Sequence, residues 1–144
     1  EKPAVAPVSD EEIQRARNAI ARAREADADY YEPGLLKEAE DALNGALRSR
    51  SDDPDKAREL LATAKQKADE AFDGAVAKAA ADLDARMERM KAALLEEKAD
   101  RFLPSEYEQA VSGIPEARKL FADGQLVEAR EKAYATLADM SSLL

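Results

Sequence analysis

Few side chains in this sequence can do covalent or metal chemistry. Cys, His and Trp are all absent. That removes disulfides, thiolate chemistry, Cys/His zinc sites, haem ligation by His and every Ser-His or Cys-His nucleophile. What remains is carboxylate, grouped as Asp27, Asp29 and Glu32, as Asp52, Asp53 and Asp55, and as Asp82, Asp84 and Glu88. Calcium takes six to eight oxygens, commonly on a loop turned by Gly. None of the three groups has the Asp-x-Asp-x-Asp-Gly order of such a loop, so they read as solvated charge and helix N-terminal caps. Acid–base work needs two carboxylates in a cleft that raises one pKa. Glu96 and Glu97 are adjacent and point to different sides of a helix. No Gly-rich phosphate loop or nucleophile elbow is present; Gly45, Gly74 and Gly124 read as a close packing point, a join and a cap. The expectation is a protein that is not an enzyme, with no catalytic residue, no cofactor and no metal.

Aromatic and cationic side chains are the better candidates for binding. Tyr30, Tyr31 and Phe102 flank two aromatic-x-Pro turns, where a ring can staple the turn to a helix or face a partner. The staple is the better reading for Tyr31 and Phe102. Tyr30 has Arg101 at the matching place and is open to other uses. Phe121 and Tyr134 fit apolar stripes and read as core. Arg15, Arg17, Arg22 and Arg24 lie on two helix faces, so ion pairing with neighbouring acids accounts for them better than one basic patch.

The elements that must position these groups are helices. Of 144 residues, Lys plus Arg is 22 and Asp plus Glu 31, a net charge of -9, which disfavours nucleic acid because nothing offsets repulsion from phosphate. Ala supplies 32 of the 65 hydrophobic residues. A strongly charged chain with so little Leu, Ile, Val and Phe borders on the composition of disorder. Periodicity and the helix propensity of Ala and Leu argue instead for a thin, Ala-rich helical core. Residues 1–8 read as a flexible tether with two prolines. Because the chain starts at Glu1 without Met, a removed targeting segment is expected. No stretch approaches the roughly 20 apolar residues of a membrane-spanning helix.

Ser9-Asp10-Glu11-Glu12 is a capping box opening a first helix that runs to about residue 28. Pro33 opens a second, to about residue 50. Asp53 caps and Pro54 begins a third, whose apolar positions from 57 to 94 step by three or four without a stop until the Phe102-Leu103-Pro104 turn. Only Gly74 weakens it, by about 1 kcal/mol relative to Ala. A helix over residues 54–100 is too long for one small core and must serve two packing units in succession. Ser105-Glu106-Tyr107-Glu108 repeats the capping-box pattern for a fourth helix, with an irregularity at Gly113-Ile114-Pro115, since Pro115 has no N–H for residue 111. Asp123-Gly124 ends it, and a fifth helix follows over 125–143.

The chain repeats itself. Tyr31-Glu32-Pro33 matches Phe102-Leu103-Pro104 at an offset of 71, and Lys56-Ala57-Arg58-Glu59 matches Glu128-Ala129-Arg130-Glu131 at 72. Ala39, Leu43 and Ala46 match Ala110, Ile114 and Ala117, which makes Leu43 and Ile114 equivalent core positions. The fold expected is all-α: two tandem three-helix bundles, antiparallel and spectrin-like, over 9–74 and 75–144, sharing one long central helix of about residues 54–100. If so, the 29–32 and 122–125 turns meet at a waist, bringing Tyr30, Glu32 and Asp123 near Gly74 as a partner-binding surface.

The pattern Ala-x3-Ala, Tyr-x-Pro, Ala-x3-Leu/Ile-x2-Ala and Ala-Arg-Glu, in two copies over residues 9 to about 142, resembles the uncharacterised helical-repeat domains of bacterial cell-envelope lipoproteins. Those domains occur beside OmpA-like or LysM peptidoglycan-binding modules. The tetratricopeptide fold is a near neighbour, but its 34-residue period and Trp-Leu-Gly-Tyr signature are missing. The resemblance implies a periplasmic, cell-envelope location, contact with a membrane only through an N-terminal lipid anchor, and a protein partner of the envelope. The function expected is a non-catalytic structural or interaction module, a rigid helical spacer or docking rod. The alternative is a ligand-binding or transport-accessory periplasmic protein.

Overall fold

The computed structural model describes residues 5–144, and every regular element among them is a helix. In chain order these are α1 (Asp10–Glu25), α2 (Ala28–Tyr31), α3 (Pro33–Ser49), α4 (Pro54–Glu96), α5 (Ala99–Phe102), α6 (Pro104–Val111), α7 (Gly113–Ala122) and α8 (Leu126–Ser141). The chain falls into two compact units, one ending at Ala77 and the other spanning Lys78–Leu144. α4 contributes to both, as the third helix of the first unit and the first helix of the second.

Unit 1 is an up-down-up bundle of α1, α3 and the beginning of α4. Side-chain pairs fix the directions. Glu12 on α1 meets Arg58 on α4 at 3.0 Å, and Arg22 lies over the ring of Phe72, so α1 and α4 run the same way. Arg50 meets Asp10 at 2.6 Å, Arg24 meets Glu40, and Lys67 meets Glu38 at 3.3 Å, so α3 runs against both. The core is Ile13, Ala16, Ala42, Ala46, Ala57, Leu61 and Ala64, with Leu43, Leu47 and Leu60 at its edge. Leu43 is therefore half-buried, contrary to the equivalence drawn with Ile114; Ala42 takes the inward position.

The entry to α1 combines two devices. Ser9 accepts from the Glu12 N–H while the Glu12 carboxylate accepts from the Ser9 N–H at 2.7 Å. Val8, 2% exposed, shares a core with Ile13. This is a hydrophobic staple between the residue before the cap and the fourth residue of the helix. The Val8 N–H also donates to the Arg50 carbonyl, and Arg50 Nε donates to the Val8 carbonyl at 2.8 Å. The segment expected as a tether thus docks by its last residue; residues 1–4 lie outside the described residues.

Unit 2 repeats the topology with the rest of α4, then α6 and α7 as one interrupted helix, then α8. Arg118 on α7 reaches Asp84 and, at 2.6 Å, Glu88 on α4. Lys132 on α8 meets Glu116 on α7 at 2.7 Å. The chain reverses over the short connections after Glu96 and Ala122, so α7 opposes both neighbours, and α4 and α8 run the same way. Its core uses larger side chains than unit 1: Leu83, Met87, Leu94, Ile114 and Met140 around Ala99, Ala110, Ala117 and Ala133.

The expectation of a continuous helix across Gly74 holds, and Asp53 caps α4 as its spacing predicts, accepting from the Lys56 N–H at 3.2 Å. Its end does not fall at residue 100. α4 stops at Glu96, and Lys98 adopts a left-handed conformation with φ 60°. The same break follows α1, where Asp27 has φ 62°. Each reversal launches a one-turn helix that buries an alanine, Ala28 or Ala99, in the corner. Neither break carries the Gly that usually announces a left-handed residue, so the helix pattern runs past both. The Ser105 capping box is also superseded. α6 begins at Pro104, two residues before a helix capped by Ser105 would, and the Leu103 carbonyl accepts the Tyr107 N–H at 2.8 Å. The irregularity at 113–115 is present as the α6–α7 break, which leaves Pro115 in a first turn that needs no N–H from it.

Candidate functional site

Tyr30 and Glu32 belong to unit 1 and bracket the α2–α3 turn. The left-handed Asp27 swings the backbone round, Ala28 is buried, and the Glu32 N–H closes the turn on the Ala28 carbonyl at 2.8 Å. The chain then turns again at Glu32 (φ -136°, ψ 54°) so that Pro33 can start α3. This geometry leaves Tyr30 71% exposed. Its ring stands against that of half-buried Tyr31, with centroids 4.8 Å apart and planes at 87°. The edge-to-face pair is a favourable aromatic geometry, and it gives the exposed ring a fixed support.

Glu32 projects onto α4 at Gly74. A Cβ built at residue 74 would lie 2.5 Å from Glu32 Oε1 and 2.9 Å from Cδ. Gly74 thus makes room for the Glu32 side chain, a pairing that the separation of 42 positions hides from a local reading of the sequence. Asp123 belongs to unit 2. It follows the last residue of α7, its N–H donates to the Lys119 carbonyl at 2.9 Å, and its side chain is exposed.

The repeat-equivalent turn in unit 2 has the same backbone but a different surface. Leu103 matches Glu32 in conformation (φ -134°, ψ 58°). Phe102, expected like Tyr31 to staple its turn to a helix, is 75% exposed instead. Tyr134, expected in the core, is 52% exposed, because α8 turns Ala129, Ala133, Thr136 and Met140 inward. Phe121 packs against the unit 2 core as expected.

Several charged groups hold helices together. Of the arginines on α1, Arg24 pairs with Glu40, while Arg22 lies on an aromatic face. The Arg58 guanidinium, followed by the Ser9 N–H, holds the Glu12 carboxyl down at about 2. Hydrogen bonds from Arg118 to Asp84 and Glu88 push the Arg118 pKa up. Burial, ahead of the nearby Asp100 and Glu88 charges, raises that of Tyr107. Among the described residues no group of three or more carboxylates is placed to hold a metal ion, and no helix is long and apolar enough to cross a membrane. Compared with known proteins, the chain matches no family model, no curated protein and no solved structure.

Proposed function

We propose that this chain is a non-catalytic structural and protein-interaction module of the bacterial cell envelope, a rigid helical spacer that docks a protein partner. The observation that carries the reading is Tyr30, a largely exposed aromatic ring held by an edge contact with Tyr31 on a turn closed by backbone hydrogen bonds from the Tyr30, Tyr31 and Glu32 N–H groups. A fixed exposed Tyr offers large contact area at little entropic cost, which is why Tyr is enriched among residues that dominate interfaces. Glu12, Asp53, Asp84, Arg58 and Arg118 are used in caps and interhelical pairs. The periplasmic location and an N-terminal lipid anchor rest on the resemblance to envelope repeat domains.

The test is site-specific photocrosslinking in envelope extracts of a bacterium that produces the protein. A benzophenone amino acid at position 30 should trap one discrete partner, and the same probe at exposed Lys37 should not. Tyr30→Ala should in turn remove that partner from a pull-down while leaving the melting temperature nearly unchanged, because the ring is largely exposed. An identical crosslinking pattern from positions 30 and 37 would refute the docking role.

A further inference from the structure

The two units treat the groove between their first and third helices in opposite ways. In unit 1 this is the α1–α4 groove, and it is closed by a side chain: Arg22 lies over the Phe72 ring with Cζ 3.6 Å from the centroid. The repeat offset of 71 carries Arg22 to Ala93, and the offset of 72 carries Phe72 to Leu144. In unit 2 a methyl group therefore replaces the covering guanidinium and its stem. The α4–α8 groove is left open, with a volume of about 650 Å³.

Its lining is apolar at one end and cationic at the other. Met90, Ala93, Leu137 and Leu144 form the apolar part. Arg86 and Arg89 stand on the α4 side, up to two turns before Ala93, or about 10 Å along the axis. Arg86 shares its charge with Asp82 at 3.1 Å. Arg89 is exposed and has no ion-pair partner among the described residues.

We propose that this groove binds an amphiphilic anion, an unbranched acyl chain lying along Met90, Ala93, Leu137 and Leu144 with its carboxylate at Arg89 and Arg86. The volume lies in the range of small-molecule sites. Two helical turns are too short a track for a partner helix to bury the roughly 800 Å² per side of a stable interface. Charge-assisted hydrogen bonds from guanidinium to carboxylate fix the direction of the chain. Unit 1 shows the same groove filled by the aliphatic stem and cation of Arg22, so a slender chain fits between helices at this spacing. The site is separate from the Tyr30 turn and does not depend on the docking role.

The experiment is calorimetric titration of the full chain with dodecanoate below its micelle concentration, with dodecyltrimethylammonium as the cationic counterpart. Saturable one-to-one binding of the anion, with the cation failing to compete, is expected. Arg89→Ala should weaken binding about tenfold while leaving the melting temperature unchanged. Ala93→Arg with Leu144→Phe rebuilds the closed groove of unit 1 and should abolish binding. Equal binding of cation and anion, or undiminished binding to both Arg89→Ala and the rebuilt groove, would overturn the proposal. So would a concentration-dependent dimer that Ala93→Arg dissociates, since the occupant would then be a second copy of the chain.

Discussion

Gly113 and Thr136 provide the sharpest test of how unit 2 is packed. Gly113 opens α7 and faces the middle of α8. A Cβ at 113 would lie 2.0 Å from Thr136 Oγ1 and 3.0 Å from both Cβ and Cγ2. Thr136 is 2% exposed, and its Oγ1 donates to the Lys132 carbonyl at 2.7 Å, which fixes its rotamer. Rotating the side chain would exchange one clash for another, because the β-carbon itself is too close. α7 and α8 would have to separate by several tenths of an ångström. Overpacking of this kind costs about 1–3 kcal/mol, against a gain of up to about 1 kcal/mol for Ala over Gly in a helix. Gly113→Ala should therefore destabilise by about 1–2 kcal/mol. Thr136→Ala alone should cost about 1 kcal/mol, chiefly for the lost methyl group. The repeat predicts what happens when both are changed. The unit 1 equivalents are Ala42 and Ala64, both buried in one core; Ala and Ala there fill the space that Gly and Thr fill here. The double variant should come within about 1 kcal/mol of the parent, with a favourable coupling of at least about 1 kcal/mol. Urea unfolding followed by far-UV circular dichroism measures all four corners of the cycle. A Gly113→Ala protein as stable as the parent, or two effects that simply add, would show that α7 and α8 are not in tight register at this point.

Four further outcomes are expected. Lys98→Gly should stabilise by about 0.5–1 kcal/mol in the same urea assay, since it removes a side chain from a left-handed residue that is exposed and makes no ion pair among the described residues. Ile114→Ala should cost about 2–4 kcal/mol because Ile114 is buried, whereas half-buried Leu43→Ala should cost clearly less; equal losses would contradict the different depths of these two repeat positions. Glu12 titrates at about 2 in the folded state against an ordinary 4.5, so the unfolded chain takes the proton more readily. The stability it contributes is present above 4.5 and is lost as pH falls towards 2; Glu12→Gln should flatten the acid limb of a pH–melting curve in that window. EDTA should leave the melting temperature unchanged, because structural metals stabilise through ligand sets that are not assembled among the described residues.

What was legible in the sequence divides along physical lines. Caps and staples are local, so Ser9 to Glu12 announced the start of α1, and Asp53-Pro54 that of α4. Apolar steps of three and four carried α4 through Gly74 correctly, because a helix tolerates one glycine when both flanking turns bury alanines such as Ala71 and Ala75. The ends after Glu25 and Glu96 were hidden because Asp27 and Lys98 are left-handed without being glycine, and the burial of Ala28 and Ala99 that compensates them is tertiary. Depth within a stripe was also hidden. Ala42 rather than Leu43, and Thr136 rather than Tyr134, turn inward because the helices approach closely enough to admit only small side chains. The candidate site was legible as residue types on a turn, and Tyr30 is exposed there, but the support of its ring by Tyr31 and the fit of Glu32 onto Gly74 depend on contacts that spacing does not encode. Two bundles with equivalent backbones assign each position a twin, and a twin that differs marks where one unit does something the other does not. Arg22 and Ala93 are such a pair, one closing its groove and the other leaving it open.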